Sequence, residues 1–172
     1  VTVSNLFTDH MVLQHGRPVV VWGTADKGEE VTVSVAGNSV STRADNEGHF
    51  KASLPALKAN SGPHQLVLEG TNKITINDVL GGEVWICSGQ SNMAFSVGAA
   101  NDPDLESLAA NYPRIRIISV PQVGSQQPQD NFQGAWEAVT PESVRNFSAV
   151  GYFFGRQLHQ VLDVPIGLID KA

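Results

Sequence analysis

Short apolar runs separated by turn residues fill the first 78 positions, at spacings of about eight to twelve residues. They fall at residues 11–14, 19–22, 31–35, 49–54, 65–68 and 74–79, and Val1-Thr2-Val3 opens the chain in the same manner. In Val31-Thr32-Val33-Ser34-Val35 the alternation gives one buried and one wet face, the period-2 mark of a half-buried strand. Ala36-Gly37-Asn38-Ser39 and Asp45-Asn46-Glu47-Gly48 suit tight hairpins, because glycine and asparagine accept positive φ at little cost. The pattern predicts an all-β sandwich, jelly-roll or immunoglobulin-like, over residues 1–78.

From residue 79 the rhythm changes. A compact strand over 83–87 runs into Ser88-Gly89-Gln90-Ser91, after a hinge-like break at Gly81-Gly82. Asp102-Pro103 starts a helix, with Asp as cap and Pro at the first helical position. A second strand is predicted over 114–120, then a long surface loop over 121–135 and another helix start at Thr140-Pro141-Glu142. Val150, Phe153, Phe154, Leu158, Val161 and Leu162 form one apolar helical face within 148–162. Gly151 and Gly155 in that helix allow close packing on a sheet. A buried strand over 164–169 follows. This alternation predicts the α/β class: the β-sandwich, then over 79–172 the first half of a three-layer α/β/α parallel sheet, whose open edge is the strand at 164–169.

A chain of 172 residues holds one ordinary domain or two small ones. Its 41% hydrophobic and 16% charged content is that of a globular protein rather than a disordered one. A net charge of −6 argues against a nucleic-acid partner, which would need a basic face over the phosphates. No apolar run reaches the roughly eighteen residues that would span a bilayer, so no membrane partner is expected. Cys87 is the sole cysteine, set in an apolar run, and reads as a small buried hydrophobe. The chain begins without Met and stops three residues after a core strand, so it reads as processed or cut.

The chemistry gathers at Gly82-Glu83-Val84-Trp85-Ile86-Cys87-Ser88-Gly89-Gln90-Ser91-Asn92-Met93. A hydroxyl at the carboxyl end of the first parallel strand stands where α/β proteins place their ligands. If a helix starts after Ser91, its first free backbone N–H groups point at any oxyanion forming beside Oγ. Gly89 permits a tight turn and a close substrate approach. Ser91 is therefore the candidate nucleophile, against the plainer reading of a strand-to-helix turn with a capping serine. Gln90 and Asn92 either bond the turn's own backbone or touch substrate.

Gly89-Gln90-Ser91-Asn92-Met93 after an apolar strand resembles the first signature block of SGNH-type hydrolases, and more closely that of the sialate O-acetylesterases and related carbohydrate acetylesterases. Leu6-Phe7-Thr8-Asp9-His10-Met11-Val12-Leu13-Gln14 resembles that branch's opening β-domain motif. Phe147-Ser148-Ala149-Val150-Gly151-Tyr152-Phe153-Phe154-Gly155 resembles its second helix, and Val164-Pro165-Ile166-Gly167-Leu168-Ile169 its third strand. The resemblance implies a serine esterase acting on an acetylated carbohydrate, without metal or cofactor. Ser91 would be nucleophile and give one oxyanion-hole N–H, with Gly89, Gln90 and Asn92 around it. A histidine would act as base, oriented by a carboxylate.

Beyond a strand like Leu168-Ile169 the family continues through a Trp-Gly-Gly stretch, an asparagine block and a block with Asp and His. Here Asp170-Lys171-Ala172 ends the sequence. The expectation is an N-terminal portion, inactive alone, whose partner is the remaining C-terminal half or another copy. Its expected location is extracellular, periplasmic or lysosomal, with the cytoplasm left open. A non-catalytic carbohydrate-binding or assembly subunit is the alternative.

Overall fold

The computed structural model describes all of residues 1–172. Its first seven strands are β1 (Thr2–Val3), β2 (Val12–Gln14), β3 (Val19–Thr24), β4 (Glu30–Val35), β5 (Asn38–Arg43), β6 (His49–Leu54) and β7 (His64–Glu69). Strands β1-β3-β6 form one antiparallel sheet, and β7-β4-β5 belong to a second. The alternation in β4 buries Val31, Val33 and Val35, and that in β6 buries Phe50, Ala52 and Leu54. Strand β5 escaped the sequence reading because Val40 is its only apolar residue. The hairpin before it is shorter than expected: Ala36 and Gly37, both at positive φ, make the whole turn, and Asn38 already pairs with Val35.

Strand β8 (Lys73–Ser88) joins the two halves of the molecule without interruption. Its sixteen residues pair antiparallel with β7 up to Val79, then parallel with β2 over Leu80–Gly82, then parallel with a later strand from Glu83. The hinge expected at Gly81-Gly82 is thus continuous strand, and residue 78 lies inside it. The glycines serve close approach. A Cβ on Gly82 would stand 2.1 Å from the Pro165 carbonyl oxygen, and one on Gly81 2.5 Å from that of Lys58.

After β8 come α1 (Ser91–Ala94), α2 (Pro103–Leu108), β9 (Tyr112–Ser119), β10 (Glu137–Val139), α3 (Ala149–Leu162) and β11 (Ile166–Lys171). Strands β8, β11 and β9 are parallel, with β10 antiparallel on β9, in the order β10-β9-β11-β8. The fold is α/β with a predominance of strand. The last strand is therefore not the open edge: β11 sits between β8 and β9, and beyond Gly82 one side of β8 has no strand partner. Asp102 precedes α2 as expected but lies at φ 49 with no side-chain capping bond.

Two cores follow from this layout. One buries residues from Phe7 to Val79 with Ile118 and Trp136 from later in the chain, and Phe132 and Ile169 pack against it; the other runs from Cys87 to Leu168. Trp136 is anchored in the β-region, its indole N–H donating to the Leu6 carbonyl at 2.8 Å. Helix α3 covers one face of the parallel strands through Ala149, Gly151, Tyr152 and Gly155. A Cβ on Gly155 would meet Leu168 Cδ1 at 2.6 Å, and one on Gly151 would meet Cys87 Sγ at 2.9 Å. Small residues thus let helix and sheet approach, as the glycine pair suggested. The expected apolar face is only partly used: Val150, Phe154, Val161 and Leu162 are exposed, as are Trp85 (43%) and Ile86 (70%) on the open side of β8.

Buried Arg116 of β9 ties the β-region to the parallel strands. Its guanidinium donates to the carbonyls of Pro113 (2.7 Å) and His10 (3.1 Å) and to the Asp78 carboxylate (2.7 Å). His10 Nδ1 bonds the same carboxylate oxygen at 2.7 Å. Partial burial works to raise the Asp78 pKa, but the bonds from Arg116 and His10 outweigh it and hold the carboxyl below its usual range. A folded-state pKa below the unfolded one gives stability that is present above about pH 4 and lost as pH falls through the folded value. Asp78→Asn is expected to lower stability by about 1 kcal/mol at pH 7, discounted for the exposed third of the carboxylate. That difference should shrink as pH falls from about 4 through the lowered folded value of the carboxyl, a trend that denaturant melts across pH would follow.

Candidate active site

The parallel strands end together on one edge of the sheet. Ser88 of β8 lies opposite Lys171, and Asp170 of β11 lies opposite both Cys87 and Ser119. The Ser88 hydroxyl donates to the Lys171 carbonyl at 3.3 Å. Beyond Ser88 the chain passes through Gly89 and extended Gln90 (φ −122, ψ −152) into α1, whose first residue is Ser91.

The amides of Met93 and Ala94 both return to the Gln90 carbonyl, at 2.9 and 3.0 Å. Those of Ser91 and Asn92 donate to no acceptor in the chain, as the first N–H groups of a helix must unless something caps them. The Ser91 hydroxyl is exposed and makes no hydrogen bond, so it caps nothing. Gln90 and Asn92 do not bond the turn's backbone either; their side chains stand free in solvent beside the hydroxyl. Gly89 is not at positive φ; a Cβ there would stand 3.2 Å from the Met93 Cβ, a tight contact. The turn therefore presents a free hydroxyl and two unpaired amides at a sheet edge, groups of the kind that acyl transfer uses as nucleophile and donors.

Beneath the turn lie Cys87 and Asp170. Burial first, and then the negative charge of Asp170, push the Cys87 thiol up to about 11, so it stays protonated and unreactive in its apolar setting. Burial also raises the Asp170 carboxyl, against the opposing influence of the Ala172 N–H and Lys171. The sequence reading passed over Asp170 as the point where the chain runs out. Its signal was available: a carboxylate directly after an apolar parallel strand reaches the same edge as the Ser91 turn.

None of the five histidines reaches that edge. His10 is held on Asp78, and His15 Nε2 bonds Glu83 Oε1 at 2.8 Å. Glu83 opens the pairing of β8 with β11, and five strand steps of about 3.3 Å each separate it from Ser88. His49 pairs with Thr24 and His64 with Val79, both in the β-region. His159 Nδ1 bonds the Val164 carbonyl at 2.7 Å, just before β11 begins. A hollow of 530 Å³ beside β9 and β10 includes Ser119, Glu137 and Asn146 but no residue of the Ser91 turn.

No family model matches the sequence. Sialate O-acetylesterase from Mus musculus is 32% identical over 98% of this chain, and that from Homo sapiens 30% identical over 98%. The crystal structure of a carbohydrate acetylesterase from Xanthomonas citri superposes with a TM-score of 0.94 at 37% identity, covering 98% of this chain. The chain spans about a third of the mammalian relatives, 35% and 36% of their lengths, and 39% of the bacterial one. Over the stretch of those proteins that it spans, the chain is similar to the sialate O-acetylesterases, and the resemblance read from its motifs holds.

Proposed function

We propose that Ser91 is the nucleophile of a serine esterase that removes O-acetyl groups from sialic acid or another carbohydrate. Its general base and the rest of its oxyanion hole come from polypeptide outside residues 1–172. The observation that carries this reading is the free Ser91 hydroxyl between unpaired amides at the carboxyl edge of the parallel sheet. Ser91 Oγ attacks the acetyl carbonyl, and its proton passes to a histidine that returns it to the departing sugar hydroxyl. The oxyanion forms beside the Ser91 N–H. Water then cleaves the acyl-enzyme by the same relay in reverse order.

The division of labour belongs to the same reading: a β-sandwich domain over 1–78, and over 79–172 part of an SGNH hydrolase domain that shares β8 with it. So does a location outside the cytoplasm or in a lysosome, where acetylated glycans are met. The partner is further polypeptide of the same enzyme, since the chain covers only 35% of the mouse relative and 39% of the bacterial one. The unpaired side of β8 beyond Gly82, flanked by exposed Trp85 and Ile86, is its seat. Edge strands meant to stay exposed usually carry charges or bulges, and this one has none between Glu83 and Ser88.

Acetate release by residues 1–172 alone, set beside the protein at its natural length, tests the proposal. The isolated chain should fall below the natural-length enzyme by more than about a thousand-fold, because a lost base and each lost oxyanion donor cost factors of that order. Comparable turnover by the isolated chain would place the base within it and overturn the reading.

A further inference from the structure

The nucleophile turn is held at its two ends. Strand β8 delivers the chain to Gly89, but α1 is a single turn, and the exposed side chains of Gln90, Ser91 and Asn92 make no hydrogen bond that would fix it. What holds its far end is the beginning of α3. The Ala149 N–H donates to the Phe95 carbonyl at 2.8 Å, the Val97 N–H donates to the Phe147 carbonyl at 3.0 Å, and Ser96 pairs with Ser148 in an isolated antiparallel bridge.

Ser148 is the hub of this junction. It is 1% exposed, and its hydroxyl is used twice. As the N-cap of α3, Oγ accepts from the Gly151 N–H at 3.1 Å; its own proton is directed to Met93 Sδ at 3.3 Å. Met93 lies two residues after Ser91 and packs against the second core, and a Cβ on Gly89 would come within 3.2 Å of its Cβ. Ser148 thus reaches, through Met93, the same short turn that carries Ser91.

We propose that Ser148 is a positioning residue: acting through Met93, it fixes the one-turn helix that presents the Ser91 hydroxyl and the free amides. The inference rests on Ser91 being the nucleophile, and on nothing else in the proposed mechanism. An N-cap alone needs only an oxygen that accepts the Gly151 N–H. A buried hydroxyl that also spends its proton on the nucleophile turn couples that turn to the long helix packed on the sheet. Misplacing a reacting group by about 1 Å can cost a hundred-fold in rate, so the coupling has a kinetic signature separate from helix stability.

Amide hydrogen exchange on the chain of residues 1–172 reads the coupling without any need for activity. Ser148→Ala should speed exchange at Met93 and Ala94 as well as in the first turn of α3. Met93→Leu, which keeps bulk and removes the sulfur acceptor, should speed it in the 89–95 turn and leave α3 unchanged. Ser148→Thr, which retains both a cap oxygen and a proton, should restore the wild-type pattern. In the enzyme at its natural length, Ser148→Ala should lower kcat by about ten-fold to a hundred-fold with KM unchanged, and Ser148→Thr should recover it. Faster exchange confined to α3 in Ser148→Ala, with the 89–95 turn as protected as in the wild type, would reduce Ser148 to a helix cap and overturn the proposal. Were Ser91→Ala to keep full activity in the same assay, the nucleophile reading would fall while the exchange result stood on its own.

Discussion

Alanine at position 91 should leave the natural-length enzyme with less than about a thousandth of its activity. The fold should be unaffected, because Ser91 is exposed, caps nothing and makes no hydrogen bond. Steady-state release of acetate from an acetylated sugar, together with a thermal melt, separates the two expectations. The loss should appear in kcat rather than KM, since the hydroxyl acts in the transition state and has little part in holding the sugar. The residual rate is that of bound water positioned near the surviving oxyanion donors. Losses of similar size from Gln90→Ala or Asn92→Ala are not expected, because those side chains flank the attacking atom without being chemically engaged.

The second large effect concerns the join between the halves. Gly82→Ala should destabilise the chain by about 3 kcal/mol, at the upper end of what overpacking does. The added methyl would stand 2.1 Å from the Pro165 carbonyl oxygen, and that oxygen also accepts the Glu83 N–H at 2.9 Å, the bond that begins the β8–β11 pairing. A backbone oxygen cannot swing aside as a side chain would, so either β8 bends or the first rungs with β11 open. Gly16→Ala is the natural comparison. Gly16 has open space around its Cβ direction but lies at φ 69, so its cost is backbone strain alone, about 1 kcal/mol. Chemical denaturation of the two variants should show a clear gap between them.

Much of this architecture was legible in the residues. The alternation of Val31, Val33 and Val35, the turn glycines and the change of rhythm near residue 79 foretold strands of a sandwich followed by parallel α/β structure, because burial on one face leaves a period that a sequence displays directly. What stayed hidden was of two kinds. Strand β5 is polar on an edge, where pairing is set by its hairpin partner and not by burial, so no apolar pattern marks it. Strand β8 was read as two pieces because Gly81-Gly82 looks like a break, when both glycines answer to neighbouring carbonyls that only the tertiary structure brings near.

The exposed stripe of α3 shows the same limit from the other side. Val150, Phe154 and Val161 follow a helical period as faithfully as any core residue, yet they face outward. Periodicity says that a face is apolar; it does not say what covers it. The order of strands was equally out of reach, since β11 inserts between β8 and β9 while sequence order would leave it last. At the proposed site, the strand-to-helix turn at Ser91 was legible in its motif. Asp170 beside it and Ser148 beneath it were not, because their relation to the turn is one of strand register and helix packing.

The central claim is that Ser91 Oγ is the atom that bonds to the acyl group. An alkyl fluorophosphonate traps activated serine nucleophiles by forming a P–O bond and releasing fluoride, so the protein at its natural length should be treated with one, digested and mapped by mass spectrometry. A single adduct on the peptide carrying Ser91, with ester cleavage lost in proportion to labelling, is the expected result. An adduct on a different serine, or loss of activity with Ser91 unmodified, would contradict the account.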